Sequence, residues 1–221
     1  MIPLRDGMTS RSAPVITVTI IVLNALAWFY EVSMPRDTLT AFLQAYGVVP
    51  AAFSPPTLVT SMFLHGSWSH VIGNMWYLWI FGDNVEDRMG HGRFLAFYLL
   101  CGIAAAFGQM IIDPESALPM IGASGAIAGV MGGYFVMYPH SRVLTLIPLI
   151  IFWEIIELPA IMLLGFWFLM QLFSAGAIAV TASTGSGGVA FMAHVAGFAI
   201  GAIAVFAFRR RRQPDAWEGG Y

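Results

Sequence analysis

The chain has 221 residues, of which 58% are hydrophobic and only 10% charged, against about 25% charged in a soluble globular domain. That composition excludes an ordinary soluble enzyme, and a formal net charge of −2 offers no broad basic face for nucleic acid. All ten basic residues are arginine, and the single cysteine, Cys101, rules out an internal disulfide.

A bilayer-spanning helix needs roughly 20 apolar residues. Six stretches meet that need, over 14–33, 68–86, 92–112, 122–138, 158–179 and 188–208. The first run outlasts the apolar region of about 7–15 residues found in a signal peptide, so it is expected to be a retained helix. Residues 35–57 form a proline-rich outer loop (Pro35, Pro50, Pro55, Pro56) expected to dip into the membrane interface. The apolar run 143–157 holds Pro148, Glu154 and Glu157 and is followed by Pro159. It reads as a cytoplasmic interfacial or partly buried loop rather than a seventh span.

Arginine placement sets the orientation. With the N-terminus inside, nine of the ten arginines lie on cytoplasmic segments, including the run Arg209 to Arg212, and only Arg36 lies outside. The expectation is an all-α polytopic membrane protein with six transmembrane helices. It forms one membrane domain over 1–221 with a core of about 14–208, placed in the cell membrane with both ends cytoplasmic.

Polar side chains inside spans are expensive and usually functional. The second span carries His70 and Asn74, with His65 just before it; the fourth carries Ser124 near its start; the sixth carries His194. These three helices all run from outside to inside. At 1.5 Å rise per residue, the four side chains fall within roughly 10 Å of their helix starts, in one layer toward the outer face. His70 and Asn74 are four apart and share a face. Glycines recur every fourth residue in the fourth span (Gly125, Gly129, Gly133) and in the sixth (Gly197, Gly201), a pattern that lets membrane helices approach closely. Such an approach would bring the Ser124 hydroxyl to the His194 imidazole as nucleophile and base. Ser124 alone could equally be a helix cap. His70 and Asn74 could be interhelical glue, and His65 is expected to tie down the outer loop. No carboxylate lies in this layer. Asp113 or Glu115 on the outer loop is a weak candidate for a third member, so a Ser–His dyad is the expectation. Glu86 and Arg88 are expected to pair at the inner end of the second span. The chain has no His-Glu-x-x-His string of a zinc protease and no internal repeat of a transporter.

Four segments, "HGSWSHVIGN" at 65–74, "GDNVEDRMG" at 82–90, "GASG" at 122–125 and "AHVAGFAIG" at 193–201, resemble the signatures of rhomboid intramembrane serine proteases. The resemblance implies a six-helix rhomboid-like bundle in which Ser124 is the nucleophile and His194 the general base. His70, Asn74 and the Ser124 backbone N–H would form the oxyanion hole. It implies no metal and no cofactor, substrates that are other transmembrane proteins, and a contact surface otherwise given to lipid. The fifth helix and the "TGSGGVAF" loop at 184–191 would resemble a lateral gate and cap. An inactive relative that only binds transmembrane helices is the alternative, and it would be expected to lack the serine or the histidine. One departure stands out. Ala128 occupies the position, one turn after the serine, where some members stack an aromatic ring on the histidine, so His194 must be oriented by something else.

Overall fold

The computed structural model describes residues 1–148, 153–181 and 190–210. The order of elements is β1 (Ile2–Asp6), α1 (Val15–Val32), α2 (Arg36–Tyr46), a short α3 (Thr57–Thr60), α4 (Trp68–Met89), α5 (His91–Ile112), α6 (Ser124–Met137), β2 (Arg142–Pro148), β3 (Trp153–Pro159), α7 (Ala160–Thr181) and α8 (Phe191–Phe208). Each of the six expected spans coincides with a helix to within a few residues. Four of them, α1, α5, α7 and α8, are long and apolar enough to cross a membrane, and α6 is a shorter apolar helix. α4 is 22 residues long but ends in Asp83, Glu86, Asp87 and Arg88. The protein is a mostly helical, polytopic membrane protein.

The centre of the bundle is the α6–α8 contact. A Cβ on Gly197 would strike the Gly125 carbonyl, one on Gly201 the Gly129 carbonyl, and one on Gly132 the Phe198 carbonyl. The two backbones therefore touch, as small residues at intervals of four allow. α5 closes the other side: Cys101 packs against Gly129 and Ala105 against Gly125. Cys101 is fully buried, a small apolar filler as its sequence setting suggests.

Two expectations are corrected. The fold is not all-α: β1, β2 and β3 form a three-stranded antiparallel sheet in that order. The segment read as an interfacial loop supplies most of it. Its residues are rich in β-branched side chains, and Val143 and Thr145 alternate into the interior, which is a strand period. Pro148 and Pro159 stand at strand ends, where proline is tolerated. Within the outer segment 35–57, Pro35 precedes an 11-residue helix, α2.

The sheet is tied to the helices by polar contacts. Asp6 accepts from Asn84 Nδ2 at 2.7 Å and from the Tyr134 hydroxyl at 2.8 Å, and Trp76 Nε1 donates to the Pro3 carbonyl at 2.7 Å. Glu86 does not serve Arg88, because residues two apart on a helix do not face each other. Its fully buried carboxylate instead accepts from the Ile16 and Thr17 N–H groups and the Thr17 hydroxyl at 2.7–2.8 Å. It also meets His91 Nδ1 at 2.6 Å. The N-terminus of α1, which has no side-chain cap of its own, is thus capped from α4 by an anion that suits the helix dipole.

The first strand carries a pH dependence. Burial pushes the Asp6 carboxyl up to about 6, above the roughly 3.9 of a solvated aspartate. A carboxyl raised in the folded state contributes stability fully below about pH 4 and loses it as pH rises through about 6. Limited proteolysis of the first ten or so residues is expected to be slower at pH 5 than at pH 8, and Asp6→Asn should flatten that difference. Equal pH dependence in the two proteins would contradict this role.

Candidate active site

Ser124 is the first residue of α6. The residue before it, Ala123, is the N-cap, and no side chain caps the helix. Its hydroxyl is therefore not spent on the helix end. Instead Ser124 Oγ lies 2.8 Å from His194 Nε2, across the glycine contact that presses α6 onto α8. The sequence interval of four between glycines explains the meeting. Gly125 follows Ser124, Gly197 lies one turn after His194, and those two glycines are in contact.

The other nitrogen of the ring is also engaged. His194 Nδ1 lies 2.8 Å from Gln171 Oε1 on α7. Trp167, one turn before Gln171 on the same helix, sets its ring 5.8 Å from the imidazole at 37°. The orienting groups absent at Ala128 are thus supplied from α7. Neither was found from the sequence. Gln171 is uncharged and so escapes a search for ionisable groups, although an amide inside an otherwise apolar helix was a usable signal. Trp167 follows Phe166 directly, but adjacent helix positions diverge by about 100°, so Phe166 is 50% exposed while Trp167 turns to the imidazole. Asp113 and Glu115 are exposed on the loop after α5. The place beside His194 Nδ1 belongs to Gln171.

His70 and Asn74 reach the same spot from α4. A Cβ on Gly122, two residues before Ser124, would lie 2.7 Å from His70 Nε2 and 3.7 Å from Asn74 Nδ2. Gly122 also has φ = +121°, which side chains rarely adopt. Glycine is needed here on both counts. Beside these side chains, the N–H groups of the first turn of α6 have no acceptor within their own helix.

His65 holds this arrangement from behind. It is buried, its backbone N–H donates to the Glu31 carboxylate of α1 at 3.1 Å, and its Nε2 accepts from Asn74 Nδ2 at 2.9 Å. Burial and the neighbouring His70 push the His65 imidazole down to about 4, so at neutral pH the ring is uncharged and keeps an acceptor for Asn74. One Asn74 N–H is used this way and the other remains for the Gly122 side. The outer loop is tied to α1 as expected, by a carboxylate that the sequence reading passed over. Next to Ser124 a cavity of about 50 Å³ is lined by Met62, Gly102, Ala105, Ala106, Gly125 and Ala193, among others. Among the described residues no group of three or more His, Cys, Asp or Glu is placed to hold a metal. Residues 182–189, most of the expected cap, lie outside the described residues, as do Arg211 and Arg212.

The Rhomboid domain family model matches residues 54–211. The chain is 32% identical over 133 residues to a putative rhomboid protease, YdcA, of Bacillus subtilis, covering 58% of this chain and 64% of that protein. It is 32% identical over 133 residues to the rhomboid protease GluP of the same organism, covering 58% and 26% respectively. It is also 30% identical over 109 residues to the mitochondrial rhomboid protein 1 of Saccharomyces cerevisiae, covering 47% and 32%. The chain spans less than two thirds of the length of each of these relatives.

Proposed function

The chain belongs to the rhomboid family, and on that premise we propose that it is an intramembrane serine endopeptidase that hydrolyses peptide bonds in or near transmembrane segments of other proteins. The observation that carries this is the 2.8 Å contact between Ser124 Oγ and His194 Nε2. The inactive-relative reading is disfavoured by the same contact, since both residues are present and paired.

The chemistry follows from the geometry. His194 Nε2 takes the Ser124 proton as Oγ attacks the scissile carbonyl, and the carbonyl oxygen becomes an oxyanion. Asn74, His70 and the Ser124 N–H are the donors for that charge. His194 then gives the proton to the leaving amine, and the C–N bond breaks to leave an ester on Ser124. Water, deprotonated by the same imidazole, attacks the ester; the bond from the acyl carbon to Ser124 Oγ breaks, His194 returns the proton to Oγ, and the new carboxyl end departs. The dyad needs no metal or cofactor. The cavity beside Ser124 is small, about 50 Å³, and lined largely by Gly and Ala residues, so Ala or Gly is expected before the scissile bond.

Depth follows from helix length. α6 has 14 residues, about 21 Å at 1.5 Å per residue, against a hydrocarbon core of about 30 Å. With α6 and the five longer helices spanning and both ends cytoplasmic, Ser124 sits below the outer surface. Its approach segment is shielded from lipid by protein, as irregular backbone at depth requires. There the Gly122 N–H bonds the Ser61 carbonyl and Met120 pairs with Val48. A substrate helix must unwind locally to present a bond there, and Gly or Pro in it makes that easier.

An activated serine reacts with a fluorophosphonate, whereas an ordinary serine hydroxyl does not. Intact-protein and peptide mass spectra are expected to place one adduct on Ser124 of the wild type and none on His194→Ala. Equal labelling of the two proteins would remove the nucleophile assignment.

A further inference from the structure

We propose that Gln171 is the positioning residue of the dyad, a third member supplied by α7 that fixes the tautomer of His194. The inference rests on the reading of Ser124 and His194 as nucleophile and base. Imidazole serves as base only if Nε2 is unprotonated, which requires the proton on Nδ1. Nδ1–H then needs an acceptor, and Gln171 Oε1 stands 2.8 Å away. The amide has two ends, and the chemistry selects one. Were its NH₂ turned to the ring, Nδ1 would be the acceptor and Nε2 would carry the proton, leaving Ser124 without a base. The oxygen must therefore face His194.

The setting supports a built contact. α7 is apolar through the membrane, and a lone amide in it is unfavourable unless it finds a partner. Gln171 is partly buried while its neighbours Met170, Leu172 and Phe173 are exposed, so the amide lies on the inward face. Trp167 lies four residues earlier on that face and backs the imidazole ring, while Phe191 meets its edge at 6.5 Å. The ring is thus held from α7, a helix that contributes nothing to the oxyanion side, by one hydrogen bond and one aromatic contact, and from its own helix by Phe191. Seating of α7 against α8 becomes a condition for a competent base.

The test compares Gln171→Leu, which keeps the volume and removes the acceptor, with Gln171→Glu, which keeps a carboxyl oxygen where Oε1 stands. The assay is cleavage of a transmembrane substrate in detergent. Gln171→Leu is expected to lower kcat by about 10- to 100-fold with KM unchanged. This is less than the roughly 10⁴-fold cost of enforcing the wrong tautomer, because an unbonded ring still samples the right one. Gln171→Glu should recover most of the loss. ¹⁵N spectra of histidine-labelled protein, with His194 assigned by its absence in His194→Ala, should show Nδ1–H in the wild type and in Gln171→Glu. They should show a tautomer mixture in Gln171→Leu. If Gln171→Leu fails to fold, the spectrum and rate of Gln171→Glu decide, with a wild-type tautomer and near-wild-type rate required. Wild-type kcat in Gln171→Leu, or no recovery in Gln171→Glu, overturns the inference. Those results alongside an inactive Ser124→Ala leave the dyad standing, whereas an active Ser124→Ala removes the dyad itself.

Discussion

Ser124→Ala is expected to abolish cleavage of a transmembrane substrate, His194→Ala to do the same, and the double variant to be no slower than either. The loss should be about 10⁴-fold or more in kcat, the scale on which members of a serine nucleophile–base unit fail when one is removed. Non-additivity is the informative part. Without His194 the hydroxyl keeps its proton, and without Ser124 the imidazole has nothing to deprotonate, so the second removal takes away nothing that still works. Neither change should unfold the protein. The lost Ser124–His194 hydrogen bond is one contact in the bundle, of about 1 kcal/mol. Losses that multiply in the double variant would mean that the residues act separately, and a retained rate in Ser124→Ala would mean that another group attacks.

Gly201→Val is expected to damage both stability and turnover from a position that touches no reacting atom. Its side chain would have to occupy the space of the Gly129 carbonyl, a backbone atom that cannot step aside as a flexible side chain could. α8 must retreat from α6. Overpacking of this kind costs about 1–3 kcal/mol. A shift of about 1 Å in a catalytic pair costs on the order of 100-fold in rate, and the 2.8 Å contact between Ser124 and His194 spans this same interface. Ile203 lies on the same helix and is 69% exposed, so Ile203→Val serves as the control and should leave both thermal stability and rate near wild type. If Gly201→Val matched that control, the account of how the dyad is assembled would be wrong.

The spans and the meeting of α6 with α8 could be read from the chain because both rest on one-dimensional patterns. Runs of about 20 apolar residues have few alternatives in a bilayer, and glycine at every fourth position names the face along which two helices touch. Ser124, His70, Asn74 and His194 were legible for a related reason, being polar groups at similar depth on parallel helices. The sheet was not. Its strands are five to seven residues long, and pairing between residues near 5 and near 144 leaves no local trace. Val143 and Thr145 did alternate inward, but an apolar run bounded by prolines also fits an interfacial segment. Glu31 and Gln171 were hidden differently. Each sits in a strongly apolar helix, and what makes each meaningful is a partner on another element, His65 for one and His194 for the other. Composition weighs a residue by its own chemistry, whereas a hydrogen bond between helices depends on rotation and depth that spacing along one helix does not set. Glu86 shows the same gap, since the backbone groups it caps lie about 70 residues back along the chain, at Ile16 and Thr17, and its nearby partner is His91 rather than the arginine two residues on.

The claim that this bundle hydrolyses transmembrane segments at the depth of Ser124 is tested most directly by mapping product ends. A single-span substrate with Ala and Gly near its outer boundary would be reconstituted with the wild-type protein in H₂¹⁸O, and both fragments read by mass spectrometry. The account predicts one dominant cut toward the outer boundary, after a small residue, with ¹⁸O in the new carboxylate and no product from Ser124→Ala. Cuts clustered at the cytoplasmic boundary, or the same products from Ser124→Ala, would contradict it.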